Sequence, residues 1–273
     1  MQNEIALQTQ QLERIEQTTC CIVGSGPAGA VLALLLARKG IPVILLEEHM
    51  NFDRDFRGDT IHPSVMQIMD QIGLADKLLQ LPHTEVYNVP VQIAGGLLTL
   101  ADFRHLKTRF PYIAIIPQAH FLEFITAEAK RYPNFHLVMG ARVEKLIEED
   151  GYIHGVHYRG QDGWHEVRAA LTVAADGRFS RVRKLAGFEP VQTAQAMDVL
   201  WFRLSCKPGD SRESGGRLGG GHILIMLNRA DYWQMGYVIP KGGYQKLRAA
   251  GLPALRQEIA RLLPEWADRL DTI

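Results

Sequence analysis

The chain has 273 residues, enough for one large domain or two modest ones with a substantial core. Thirty lysines and arginines balance thirty aspartates and glutamates, which argues against a nucleic-acid-binding protein, where a basic excess or patch is the rule. No apolar run reaches the roughly 18 residues that a membrane span requires, so no integral span is expected.

The first 19 residues are polar and lack the basic and apolar regions of a signal peptide, and they read as a frayed or accessory lead-in. Of the three cysteines, Cys20 and Cys21 sit side by side on a predicted buried strand and point to opposite faces, while Cys206 is remote. An odd, clustered set is neither a disulfide framework nor a metal site. A reducing cytoplasm fits it best. The histidines show no ligand spacing, so no metal is expected.

Residues 19–23 form a short apolar run ending in glycine, the pattern of a buried parallel strand. Then comes Gly24-Ser25-Gly26-Pro27-Ala28-Gly29. In such a G-x-G-x-x-G turn the first glycine permits the tight bend. The second lets the backbone approach a pyrophosphate, and the third allows the helix to pack on the strand. Pro27 suits the first helical turn, where a missing N–H costs nothing, and Gly40 stops the helix. The helix N-terminus faces the phosphates. A second strand, "PVILLE", ends at Glu47, about where such motifs place a ribose-binding carboxylate, ~20 residues on. Strand alternation sends Glu47 and Glu48 to different sides, and Glu47 is the favoured one. An acid here suits a free 2′-hydroxyl, as in FAD or NAD, rather than NADP.

A simple NAD dehydrogenase would continue with further βα units, and this chain does not. The stretch through Asp59 is polar and irregular. From Pro63 the pattern is amphipathic, with Val65, Ile68, Met69 and Ile72 at helical spacing and Gly73 closing the helix. "YIAIIPQAHFLEFITAEAKRYPNFHLVMGARVEKLIEEDGYIHGV" reads as strand, helix, strand, strand and hairpin. "VAADGRFSRVRKLAG" reads as a strand ending at Asp176, then Gly177 and a short basic helix; N-capping by Asp176 or Ser180 would explain that segment structurally.

With "RGDTIHPSVMQIMDQIGL" and "DGRFSRVR", the chain resembles the FAD-dependent aromatic hydroxylases of the p-hydroxybenzoate hydroxylase type, closely over residues 18–190 and loosely beyond. The resemblance implies FAD held by Gly24, Ser25, Gly26, Pro27, Ala28, Gly29 and Glu47. It implies flavin contacts from Arg57 and Gly58 in the loop after the second strand, and a ribityl and phosphate contact from Gln118 at a helix start. It adds a backbone contact to adenine at Val143, and Asp176 and Gly177 near the pyrophosphate. It also implies the fold: α/β, a Rossmann-like three-layer FAD-binding domain with an inserted antiparallel substrate-domain sheet. The activity implied is monooxygenation, with NAD(P)H reducing the flavin and one oxygen atom of O2 passing to a small aromatic or other electron-rich substrate. Catalytic residues are not assigned, since the flavin carries the oxygen chemistry.

The domains expected are an FAD-binding domain over 18–190, with a substrate-domain excursion near 82–112, and a substrate sheet with the start of a helical region over 191–273. "MDVLWFRLSC", "HILIMLN" and "YWQMGYVIP" are strand-like, with "NRAD" as the hairpin turn joining the last two. "GGRLGGG" reads as a mobile loop. Met226, Trp233, Gln234, Met235 and Tyr237 are pocket candidates, although Trp233, Met235 and Tyr237 alternate on one strand face as core residues also would. The family's third fingerprint, a Gly-Asp pair before a helix, has no counterpart, since Gly209-Asp210 is followed by no helical pattern. The expectation is therefore the first two thirds of a hydroxylase, C-terminally truncated. A flavin reductase or dehydrogenase on the same fold and a non-catalytic FAD-binding remnant stay open as alternatives. The substrate, the choice of NADH or NADPH and the oligomeric state are left open.

Overall fold

The computed structural model describes residues 12–53, 59–191, 193, 197–211 and 213–273. It divides into two compact units, one of Met1–Asp55 and Gln118–Val191 and the other of Phe56–Pro117 and Gln192–Ile273. Arg57 and Gly58 lie outside the described residues.

The first unit is built on a six-stranded sheet. In chain order its elements are β1 (Leu12–Val23), α1 (Pro27–Arg38) and β2 (Val43–Glu47). After the excursion into the second unit come α4 (Gln118–Ala129), β8 (Phe135–Met139), β9 (Arg142–Glu149), β10 (Tyr152–Arg159), β11 (Trp164–Ala174) and α5 (Arg181–Leu185). The strand order is β8-β2-β1-β11-β10-β9. The first four are parallel, and β11, β10 and β9 form an antiparallel meander. Val43 to Leu46 of β2 are all buried, the continuous apolar run of a strand covered on both faces. One face buries Cys21, Val23, Ile44, Leu46, Val156 and Val167 in a single cluster. On the other side, α1 packs on β2 and on α4. Burial pushes the Cys21 thiol up to about 12, with Cys20 adding to the shift, so this thiol is an inert core group.

The lead-in differs from expectation. From Leu12 onward it is strand, running parallel to β11 from Leu12 opposite Trp164 to Val23 opposite Ala174. Its polar alternation hid it, because this half of β1 is largely exposed and is held by ladder hydrogen bonds rather than by an apolar run.

The second unit holds β3 (Thr60–Ile61), α2 (Pro63–Gln71), α3 (Ala75–Leu78), β4 (Thr84–Val86), β5 (Asn88–Ile93), β6 (Gly96–Asp102) and β7 (Ile113–Ile115). It continues with β12 (Met197–Ser205), β13 (Gly215–Gly219), β14 (His222–Asn228), β15 (Tyr232–Pro240) and α6 (Tyr244–Leu262), then a 3-10 segment (Pro264–Thr272). A small β3-β7-β4 sheet accompanies a six-stranded sheet of order β12-β15-β14-β13-β5-β6. The face of α2 that is buried is Pro63, Met66 and Met69, while Ile68 is 40% exposed. The expected stripe of Val65, Ile68, Met69 and Ile72 is thus rotated, since packing settles on the two methionines.

The glycine-rich "GGRLG" is strand β13 and not a mobile loop. It pairs antiparallel with β14 and parallel with β5. Glycine is needed because the neighbours come close: a Cβ on Gly215 would lie 2.4 Å from the Pro90 carbonyl oxygen. The "NRAD" turn joins β14 to β15 as expected, with Ala230 at φ +67° and its N–H donating to Asn228 Oδ1 at 2.9 Å. Arg229 in that turn is buried and ion-paired to Asp59, and its Nε donates to Gln234 Oε1 at 2.9 Å.

Trp233, Met235, Tyr237 and Met226 form one core with Leu204, Leu255, Ile259, Leu263 and Leu270. These four pocket candidates are packing residues beneath α6 and the 3-10 segment, and Gln234 is buried and bonded to Arg229. Gly209-Asp210 is a lock. Asp210 accepts from both terminal nitrogens of Arg269 at 2.6 and 2.9 Å, from Trp233 Nε1 at 3.2 Å and from Lys207 N at 2.9 Å. The Arg269 guanidinium holds this carboxyl well below the usual range. Among the described residues no helix is long and apolar enough to cross a membrane.

Candidate cofactor site

The carboxyl ends of β1, β2 and β11 converge, which in open α/β sheets is where ligands bind. Backbone bonds fix the convergence. Gly24 N donates to Leu46 O, Ala175 N to Val23 O and Ala141 N to Glu47 O, each at 2.7 Å.

The glycine turn is shaped by three different demands. Gly24 has φ +101°, and a Cβ there would lie 2.5 Å from the Ala175 carbonyl oxygen. A Cβ on Gly29 would lie 1.9 Å from the Gly24 carbonyl oxygen. Both glycines let main chain touch main chain. Gly26, the N-cap of α1, has an ordinary φ of −71°, and a Cβ there meets nothing within 4 Å. Pro27 is at the start of the helix, and Pro27 and Ala28 are exposed. The first N–H groups of α1 lack intrahelical partners by geometry and carry the positive end of its dipole. Ser25 is fully buried, and its Oγ makes no hydrogen bond among the described residues.

Glu47 closes the cradle. It is 3% exposed, and its Oε2 accepts from Ser25 N at 2.8 Å. Its Oε1 accepts from His49 N at 3.1 Å and from His49 Nδ1 at 2.7 Å. Glu48 instead is exposed, with its Oε1 3.2 Å from Arg142 Nε. His49 was not among the residues singled out from sequence, and no periodicity marks it.

Asp176 follows β11 and lies against Gly24, yet its carboxylate is fully engaged in starting α5. Oδ1 accepts from Ser180 Oγ at 2.5 Å, and Oδ2 accepts from Arg181 N at 2.7 Å and Val182 N at 3.0 Å. Ser180 Oγ in turn accepts from Arg183 N at 3.0 Å. The side chain therefore makes the capping bonds that its sequence context also allowed. Gly177, at φ +79°, turns the chain into that cap. Val143 is buried in the core of the same sheet, leaving only main chain for any ligand. Gln118 opens α4.

A cavity of about 520 Å3, lined mainly by Leu146, Ile153, Leu171, Thr172, Val182 and Phe188, reaches Asp176 and Gly177 but no residue of the glycine turn. It is an apolar recess beside α5, separate from the cradle.

The cradle fits the ADP half of FAD. It has an open approach at Gly26, a helix N-terminus for the diphosphate, a buried Ser25 hydroxyl with no partner among the described residues and a buried acid on the adjacent strand. The chain is 34% identical over 256 residues to 6-methylpretetramide 4-monooxygenase of Streptomyces rimosus, covering 93% of this chain and 61% of that protein. It is 27% identical over 168 residues to para-nitrophenol 4-monooxygenase of Pseudomonas sp. (strain WBC-3), covering 61% of this chain and 41% of that one. Among solved structures, it superposes on PqsL, a probable FAD-dependent monooxygenase from Pseudomonas aeruginosa, with a TM-score of 0.73 and 20% identity over 90% of this chain and 67% of that one. The chain thus spans 61% of the length of the first of these relatives. The family model for the FAD binding domain matches residues 17–246. The chain belongs to the FAD binding domain family.

Proposed function

We propose that this chain is the FAD-binding part of a monooxygenase that uses NAD(P)H and O2 to hydroxylate an aromatic or other electron-rich ring. The observation that carries the reading is the ADP cradle at the sheet's carboxyl edge, in a chain related over 93% of its length to a monooxygenase. When bound, FAD supplies the redox and oxygen chemistry. The protein's part is to bind and orient it. The Gly24–Gly29 turn and the α1 N-terminus take the diphosphate, Glu47 takes the adenosine ribose, and main chain near Val143 borders the adenine. Gly177 and the Asp176 main chain border the diphosphate, while the Asp176 carboxylate keeps α5 and that turn in place. Gln118, Arg57 and Gly58 are assigned to the flavin side, and the antiparallel sheet of the second unit to substrate. A relative named for para-nitrophenol supports a phenol-like ring. The three free cysteines suit a reducing cytoplasm.

The test is to purify the chain, identify the released flavin and assay NAD(P)H oxidation against a panel of phenols. FAD at near one per chain with hydroxylated product in step with NAD(P)H is the expected result. A colourless chain that takes up no added FAD sinks the cofactor assignment. NAD(P)H oxidation with no hydroxylated phenol sinks the monooxygenase and favours a reductase.

A further inference from the structure

We propose that His49 is a positioning residue for FAD, aiming the Glu47 carboxylate at the adenosine ribose; this rests on the cofactor reading above. A carboxylate only accepts hydrogen bonds, so the 2.7 Å contact makes His49 Nδ1 the donor to Glu47 Oε1. The His49 main-chain N–H donates to the same oxygen at 3.1 Å. Its carbonyl is held by Gly140 N at 3.0 Å. The imidazole is therefore fixed through its own backbone, although its side chain is 59% exposed.

Oε1 is gripped twice by one residue, while Oε2 faces the glycine turn through Ser25 N at 2.8 Å. This arrangement sets the plane of the carboxylate. The His49 side chain stands in water, so its bond to Glu47 does little for fold stability. Setting the plane matters for a ligand, since a ribose hydroxyl needs a lone pair held in one direction.

The experiment measures the FAD dissociation constant by flavin fluorescence for the wild type, His49→Ala, His49→Asn, Glu47→Gln and the Glu47→Gln/His49→Ala double variant. Thermal unfolding of the flavin-free chains is followed alongside. His49→Ala should weaken FAD about three- to tenfold, between an exposed ion pair and a charge-assisted hydrogen bond. His49→Asn, whose amide can donate to the same oxygen, should recover most of that. The double variant should bind no more weakly than Glu47→Gln alone, because His49 acts only through Glu47. Losses that add, an unchanged constant in His49→Ala, an unchanged constant in Glu47→Gln, or a fall in melting temperature that accounts for the weaker binding would each overturn the proposal. A wild-type chain that binds no FAD overturns the cofactor reading itself and this inference with it.

Discussion

Gly26 in the first unit and Gly236 in the second are both glycines without a positive φ, yet they meet opposite surroundings. A Cβ on Gly26 meets nothing within 4 Å, whereas one on Gly236 would lie 2.9 Å from the Trp201 ring. Gly215 and Gly216 of β13 follow Gly236, with Pro90 and Leu224 filling the space. In the antiparallel sheet, glycine makes room for the protein's own atoms. At the N-cap of α1, beside two glycines that are sterically filled, it leaves room that no atom of the described residues takes. The same residue type thus marks close packing in one sheet and open space in the other.

The sharpest way to break this contrast is within the turn itself. Gly29→Ala should destabilise the chain by about 3 kcal/mol or more, as an overpacked contact with backbone that cannot retreat. Gly26→Ala should cost the flavin-free chain no more than about 1 kcal/mol, the scale of alanine at an N-cap, and weaken FAD by ~2 kcal/mol or more, because the methyl then meets the ligand. Chemical denaturation and flavin titration of both variants read the two effects. Equal loss of stability in both would end the distinction between filled and open glycines.

The second unit is cross-linked by charge under its helix, and that is its next point of test. Asp210→Asn should cost about 2–4 kcal/mol of stability, since it leaves Arg269, 6% exposed, with only the exposed Asp268 at 4.0 Å as an ionic partner. The Asp210 carboxyl is held below its ordinary range by Arg269. Its contribution is therefore complete above about pH 4, the usual aspartate value, and is lost as pH falls through the lowered value. Melting curves of the wild type and variant should stay apart by a constant amount from neutral pH to about pH 4 and converge only below it. A gap that closes between pH 7 and 5 would show that another group is responsible.

Glu47→Ala should weaken FAD by roughly 1–3 kcal/mol, the scale of a hydrogen bond to a charged group. An unchanged constant would remove Glu47 from the site and leave Glu48 to be tested. The smallest expected effect is at Tyr237, whose hydroxyl donates to Glu258 at 2.7 Å and lies 2.5 Å from His222 Nδ1. Tyr237→Phe should lower stability by about 1–2 kcal/mol with FAD affinity untouched. A change in FAD affinity there would blur the division between a ligand-holding sheet and a packing sheet.

The β1-α1-β2 unit was legible because every signal in it is local. Apolar runs, three glycines, a proline at the helix start and an acid at the strand end all lie within one stretch, and the conformations they favour agree. The hairpin at Arg229–Asp231 was legible for the same reason. The Asp176 cap was visible only as one of two readings, since a carboxylate before a short helix serves a cap and a ligand equally well in sequence.

What only the tertiary structure decided depends on contacts far apart in the chain. The strand character of Leu12–Thr18 comes from pairing with Trp164–Ala169, and its own residues are polar and largely exposed. The strand β13 exists because β5 and β14 come within a glycine's reach of it. Met226, Trp233, Met235 and Tyr237 are core because α6 covers them, a fact that strand alternation cannot choose over a pocket. His49 and Asp210 meet partners fixed by the fold: Glu47 turned inward at a strand end, and Arg269 brought back over the second sheet. Local backbone preference was enough to specify the glycine turn between β1 and α1. Long-range packing specified everything that depends on which face of a strand is covered, and by what.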